Sequence, residues 1–103
     1  MHDEMVFVEH AKLLTLLANE KRLLIASHLL GAELSVNELA DKVGLSQSAL
    51  SQHLARFRAA RVVTTRREAQ TIYYSTSDDS IRRVLEAVGE IFARDASPAA
   101  KST

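Results

Sequence analysis

Between Ser46 and Arg58 the chain reads Ser-Gln-Ser-Ala-Leu-Ser-Gln-His-Leu-Ala-Arg-Phe-Arg, a segment dense in short hydrogen-bonding side chains and closed by two arginines. Its apolar residues Ala49, Leu50, Leu54 and Phe57 recur on one side of a helix, leaving Gln47, Ser48, Ser51, Gln52, His53 and Arg56 on the other, with Arg58 further round. Glutamine pairs in bidentate fashion with adenine, and serine bonds either a base edge or a phosphate oxygen. Small side chains let a helix sit deep in a major groove. A merely solvated face would favour Glu and Lys, which support helicity, and Gln47 to Arg58 contains neither. The spacing therefore predicts a nucleic-acid-reading helix, with Ser46 and the positive helix end beside it suited to a phosphate.

Charge distribution supports that reading. The 103 residues carry 13 basic and 13 acidic side chains and no net charge. Yet residues 46–76 hold Arg56, Arg58, Arg61, Arg66 and Arg67 against Glu68 alone, whereas residues 1–20 hold one lysine against four acids. Local excess within a Debye length is what a phosphate backbone senses. Arg66 and Arg67 are expected at the tip of a hairpin, on the sugar-phosphate backbone or the minor groove. Gln70 and, more weakly, Thr65 belong to the same surface. The blander role for the two arginines is protection of an exposed strand edge, and both roles are compatible.

These residues need a scaffold. Apolar spacing predicts helices over residues 5–18 and 20–30, with Asn19 capping the second and Gly31 supplying a left-handed residue at its end. Ser35-Val36-Asn37-Glu38 is a capping box that opens a third helix reaching Val43, and Gly44-Leu45 makes the turn into the fourth, residues 47–59. The period then changes. Val62 to Thr65 and Thr71 to Tyr74 are β-branched and aromatic, as strands prefer, with residues 66–70 as the tip between them. Of Tyr73 and Tyr74, which alternate sides, at least one is expected in the core. Ser77-Asp78-Asp79 caps a last helix with a strong apolar stripe from Ile81 to Phe92. The expected fold is mainly α with a small β-hairpin: a winged helix-turn-helix of four helices, two strands and a fifth helix, spanning residues 1–94, with 95–103 as a flexible tail.

The first and last helices carry more apolar surface than so small a core consumes. They are expected to pack against the same helices of a second copy, giving a two-fold homodimer whose recognition helices meet successive major grooves of a palindromic operator. Enzymatic chemistry finds no support. His2, His10 and His28 lack metal-ligand spacing, no serine sits in a nucleophile-elbow context, and there is no Gly-rich phosphate loop. The absence of cysteine excludes a disulfide framework and a thiol switch. With no apolar run of membrane-spanning length and no basic leader, a cytoplasmic location is expected.

Taken together, Lys21 to Ile25, Val43 to Leu54 and Arg66 to Tyr74 resemble the ArsR/SmtB family of bacterial metal- and stress-responsive repressors, over about residues 10–94. The resemblance implies a homodimer joined through the first and last helices and bound to imperfect, A/T-containing palindromes near promoters. It also implies what is missing. Family metal sensors carry two cysteines in the third helix, where this chain has Ser35 and Asn37. A second sensor class binds zinc between last helices, at positions matching Asp78, Ser80, Ile91 and Arg94 here, of which one alone is a ligand type. The reading is a repressor with no cofactor and no metal expected. Two alternatives remain: a repressor answering to an organic effector at the dimer interface, and a protein-interaction module that has lost DNA binding.

Overall fold

The computed structural model describes residues 4–95; the expected tail beyond Asp95 and residues 1–3 lie outside the described residues. Among the described residues, five helices and three strands follow in the order α1 (Glu4–Leu17), α2 (Glu20–Gly31), β1 (Leu34–Ser35), α3 (Val36–Val43), α4 (Gln47–Ala59), β2 (Thr64–Glu68), β3 (Thr71–Ser75) and α5 (Asp79–Asp95). The helix starts follow the local signals. Asn19 accepts the Arg22 amide at 3.0 Å. Ser35 and Glu38 close the full reciprocal box, at 3.1 and 2.8 Å. Ser46 accepts from the Ala49 amide at 3.1 Å, and Asp78 from the Ile81 amide at 3.0 Å.

Helix ends divide differently from expectation. Gly44 takes the left-handed conformation (φ 69°) and turns the chain from α3 to α4, while Leu45 N–H reaches back to the Ala40 carbonyl at 3.1 Å. Gly31 is not left-handed: it is the last residue of α2, and extended Ala32 caps the helix through the His28 carbonyl. The left-handed position after α4 is Arg61 (φ 60°), where Val62 N–H bonds the Phe57 carbonyl at 3.3 Å. This six-to-one bond is the Schellman closure that usually recruits glycine.

Two expectations about the sheet are corrected. It has three strands in the order β1-β3-β2, because Leu34 and Ser35 pair antiparallel with Tyr74 and Tyr73. A two-residue strand leaves no periodic signal; its partner supplies the ladder. The first wing strand is also displaced along the chain, to Thr64–Glu68, so Arg66 and Arg67 are strand residues and the loop is only Ala69-Gln70. Val62 and Val63 are half-buried in the segment leaving α4 and belong to the core margin. Positive φ at Ala69 (57°) and not at Gln70 is the pattern of a II′ turn, which prefers glycine first. Ala69→Gly should therefore relieve strain of about 1–2 kcal/mol. The added freedom of the unfolded chain offsets about 0.4–1 kcal/mol of this. Thermal unfolding followed by circular dichroism is expected to show a Tm raised by a few degrees.

The core is one cluster: Leu16 and Leu17 of α1, Ile25, Ala26 and Leu29 of α2, Leu34 of β1, Leu39, Ala40 and Val43 of α3, Leu50, Leu54 and Phe57 of α4, with Tyr74 and Ile81. Tyr74 is the tyrosine that enters the core; Tyr73 stays half-buried. Buried Thr76 ties three elements together. Its hydroxyl donates to the Val62 carbonyl and accepts the Asp78 amide, and its own amide bonds the Leu29 carbonyl at 3.1 Å. The wing is thus anchored to α2, to the exit of α4 and to the start of α5. By contrast, α1 up to Lys12 and the end of α5 stand away from the core, with Met5 72% and Phe92 65% exposed.

Candidate nucleic-acid interface

Helix α4 buries Leu50, Leu54 and Phe57. At 100° per residue, the row opposite that stripe is Ser48, Gln52, Ala55 and Ala59, all exposed. Two hydrogen-bonding side chains and two methyl groups give a ridge that is low and polar at its N-terminal half. Gln47, Ser51 and Arg58 flank this row on the wing side; His53 and Arg56 flank it on the α2 side. Ser48, Ser51 and Gln52 have no side-chain hydrogen bond among the described residues and remain available to a ligand. Gln47 is engaged, donating its amide to the Asn37 side chain of α3, and with Gln70 and Ile72 it lines a cleft between the helix start and the wing. Ser46 spends its hydroxyl oxygen on the cap.

The α2 flank is built by Lys21 and Arg22. Lys21 Nζ donates to the Val43 carbonyl at 2.7 Å, satisfying the end of α3 just before the Gly44 turn. Arg22 does the same for α1: Nε donates to the Leu16 carbonyl at 2.6 Å and Nη2 to that of Thr15 at 3.5 Å. Its remaining nitrogen, Nη1, lies 3.3 Å from Nδ1 of His53. Burial, with the Arg22 and Arg56 charges adding to it, holds the His53 imidazole below its usual pKa. Protonation of His53 therefore opposes folding. Its contribution is fully favourable above the ordinary histidine range and is lost as pH falls toward the lowered value.

The wing separates two arginines that the sequence treats alike. The register pairs Arg66 with Tyr73 and Arg67 with Ile72, so the two point to opposite faces of the sheet. Arg66 lies over the Tyr73 ring (4.7 Å) and forms a fork on Glu33, with Nε and Nη2 each 2.9 Å from a carboxylate oxygen. Its third nitrogen donates to Glu68 at 2.7 Å. The Arg66 hydrogen bonds hold the Glu33 carboxyl below its usual pKa and push the Arg66 guanidinium further up. Arg67 shares the face of Ile72, which borders the Gln47 cleft, and its side chain has no ion-pair or hydrogen-bond partner among the described residues. Arg58 donates to the Tyr74 hydroxyl at 2.7 Å and so clamps the end of α4 to β3. Arg56 and Arg61, like Arg67, have no ion-pair partner among the described residues.

The structure therefore leaves Ser48, Ser51, Gln52 and Arg56 exposed on α4, with half-buried His53 beside Arg56, and leaves Arg67 and Gln70 exposed on the wing. It gives Ser46, Gln47, Arg58 and Arg66 intramolecular partners. Sequence reasoning missed Glu33, Lys21, Arg22 and Thr76. Each acts on a partner more than ten residues away or through a backbone carbonyl, which no local spacing discloses.

A polar recognition helix in a helix-turn-helix, a Gly44 turn before it and a basic β-wing after it define a DNA-binding domain of the winged helix-turn-helix class. The family described as "Bacterial regulatory protein, arsR family" matches residues 19–65. The chain is 54% identical over 85 residues to nodulation protein NolR of Rhizobium meliloti, covering 82% of this chain and 70% of that protein. It is 46% identical to the transcriptional activator HlyU of Vibrio cholerae, over 80% of this chain and 76% of the relative. It is 44% identical to a biofilm growth-associated repressor of Agrobacterium fabrum, over 82% and 72%. The crystal structure of NolR from Sinorhizobium fredii superposes with a TM-score of 0.81 at 51% identity, over 89% of this chain and 94% of that one. The chain belongs to the ArsR family. It is a DNA-binding transcription regulator and not an enzyme. No helix among the described residues is long and apolar enough to cross a membrane.

Proposed function

We propose that this protein is a homodimeric repressor that binds a palindromic promoter operator, with α4 in the major groove and the wing on the flanking backbone or minor groove. The exposed ridge of Ser48, Gln52 and Ala55 carries the reading: a hydrogen-bonding surface without acids, low enough to approach base edges. Gln52, at its centre, reads a base, and Ser48 and Ser51 contact base edges or phosphates. Arg56 and Arg67 neutralise phosphates on either side, and Gln70 extends the wing contact. Arg66 is assigned to bracing the wing against the α2–β1 loop, and Arg58 to bracing it against α4.

The bare faces of α1 and α5 support the dimer. Leu14, Ile91 and Phe92 are more than half exposed on helices that also send residues into the core. A second copy covering them by two-fold symmetry sets the recognition helices roughly 34 Å apart, one turn of B-DNA. Repression follows from operator occupancy near a promoter; the Agrobacterium relative is named a repressor. Gln52→Ala tests the base contact. It is expected to lower discrimination at one position per half-site by about 1–3 kcal/mol while sparing binding to unrelated duplex. Competition with singly substituted duplexes measures this; uniform weakening on all of them would remove Gln52 from base readout.

One observation favours a second reading, an organic effector at the dimer interface. An open cleft of about 470 Å³ lies between α1, the end of α4 and the start of α5, lined by Leu13, Leu16 and Val62 with His10, Arg61 and Asp78.

A further inference from the structure

We propose that Arg22 is a positioning residue of the DNA interface, which fixes the His53 ring so that recognition helix α4 presents a neutral, directed N–H donor to a phosphate oxygen at the groove edge. The inference rests on the DNA-binding reading above and adds a residue outside α4 and the wing. A guanidinium is donor-only, so its contact with Nδ1 of His53 requires that nitrogen to be the acceptor. The proton of the neutral ring then sits on Nε2. Arg22 is held for this task by the Leu16 and Thr15 carbonyls, which fix its plane from a third helix. The charges facing His53 are Arg22 from α2 and Arg56 from α4, and both disfavour a second ring proton. His53 is half-buried on the α2 flank of α4, away from the central ridge of Ser48 and Gln52. Side chains on the flank of a helix lying in a groove meet the backbone rather than base edges.

The chemistry predicts an unusual signature. A cation on a phosphate releases a counterion and steepens the salt dependence of binding; a neutral N–H donor adds affinity without steepening it. His53→Ala should therefore weaken operator binding about tenfold per half-site while leaving the slope of log Kd against log salt unchanged. A base-edge contact would instead make the loss depend on sequence, so duplexes altered at single positions distinguish the two sources.

Nitrogen NMR of the free, histidine-labelled protein tests the positioning step directly, with the His53 signals identified by their loss in His53→Gln. In the wild type, Nδ1 should resonate as a pyridine-type and Nε2 as a pyrrole-type nitrogen, and Arg22→Gln should average the two toward a tautomer mixture. His53→Gln places an amide N–H near the Nε2 position with no tautomer to fix. Arg22→Gln should thus weaken operator binding in the wild type and have little effect in the His53→Gln background. Equal losses in both backgrounds, or a His53 tautomer unaltered by Arg22→Gln while the wild type binds DNA, would overturn the proposal alone. A wild type that binds no duplex would overturn the DNA-binding reading with it. Melting curves of each variant identify any loss due to unfolding; if Arg22→Gln fails to fold, Arg22→Met, which carries no donor, should show the tautomer mixture, and an unaltered Nε2–H tautomer in it would overturn the proposal.

Discussion

Replacing Ile91 and Phe92 together by glutamate is expected to give a particle of 11.4 kDa in solution, and the parent protein is expected to sediment at twice that mass. The physical basis is the division of α5. Ile81 is fully buried, Val84, Leu85 and Val88 are half-buried, and Ile91 and Phe92 are 55% and 65% exposed. The helix enters the core at its first turn and leaves it before its last. Burying a side chain of this size contributes about 1.5–3 kcal/mol, and in a two-fold interface each occurs twice. Two carboxylates per subunit, facing their own copies, replace that gain with desolvation and repulsion. The fold of the single copy should survive, because neither residue touches the core cluster, and the helical circular-dichroism signal checks this. Operator affinity should fall by roughly two orders of magnitude or more, from the range typical of specific dimers toward the nonspecific range of about 10⁻⁴–10⁻⁶ M. A variant that stays dimeric places the interface elsewhere.

Arg67→Ala is the second change with a large expected effect. Each dimer would give up two arginine–phosphate pairs, which should flatten the slope of log Kd against log salt by about 2 and weaken binding to all sequences alike. Removing the Arg66–Glu33 pair, as the double variant Arg66→Ala, Glu33→Ala, should leave that slope close to the parent value. Here the guanidinium charge is already opposed by Glu33 and Glu68, and the face it occupies is the one opposite Ile72. Salt titrations of the two variants side by side separate the roles. Equal flattening in both would return Arg66 to the backbone-contacting set.

That contrast marks where the sequence stops being legible. The helices were readable because capping residues and a 3.6-residue period are local: Asn19, Ser35, Ser46 and Asp78 each act within three residues. The recognition helix was readable for the same reason, since its apolar and polar sides alternate within one element. The wing was not. Arg66, Arg67 and Glu68 have weak strand preference and are held extended by pairing with Tyr73, Ile72 and Thr71, so tertiary pairing overrides local propensity. Leu34 and Ser35 become a strand through partners about forty residues on. Counting charge by segment sets five arginines against Glu68 alone between residues 46 and 76. Glu33, thirty-three residues before Arg66, cancels one of them in space. Ser35 and Asn37 have their own duties, the capping box of α3 and the acceptor for Gln47.

The most direct test is the set of sequences that the purified protein enriches from random duplex DNA. An inverted repeat is predicted, with half-site centres about 10 base pairs apart and enrichment that declines as salt rises. An unpaired motif, a repeat at half-turn spacing, or no enrichment at all would contradict the account.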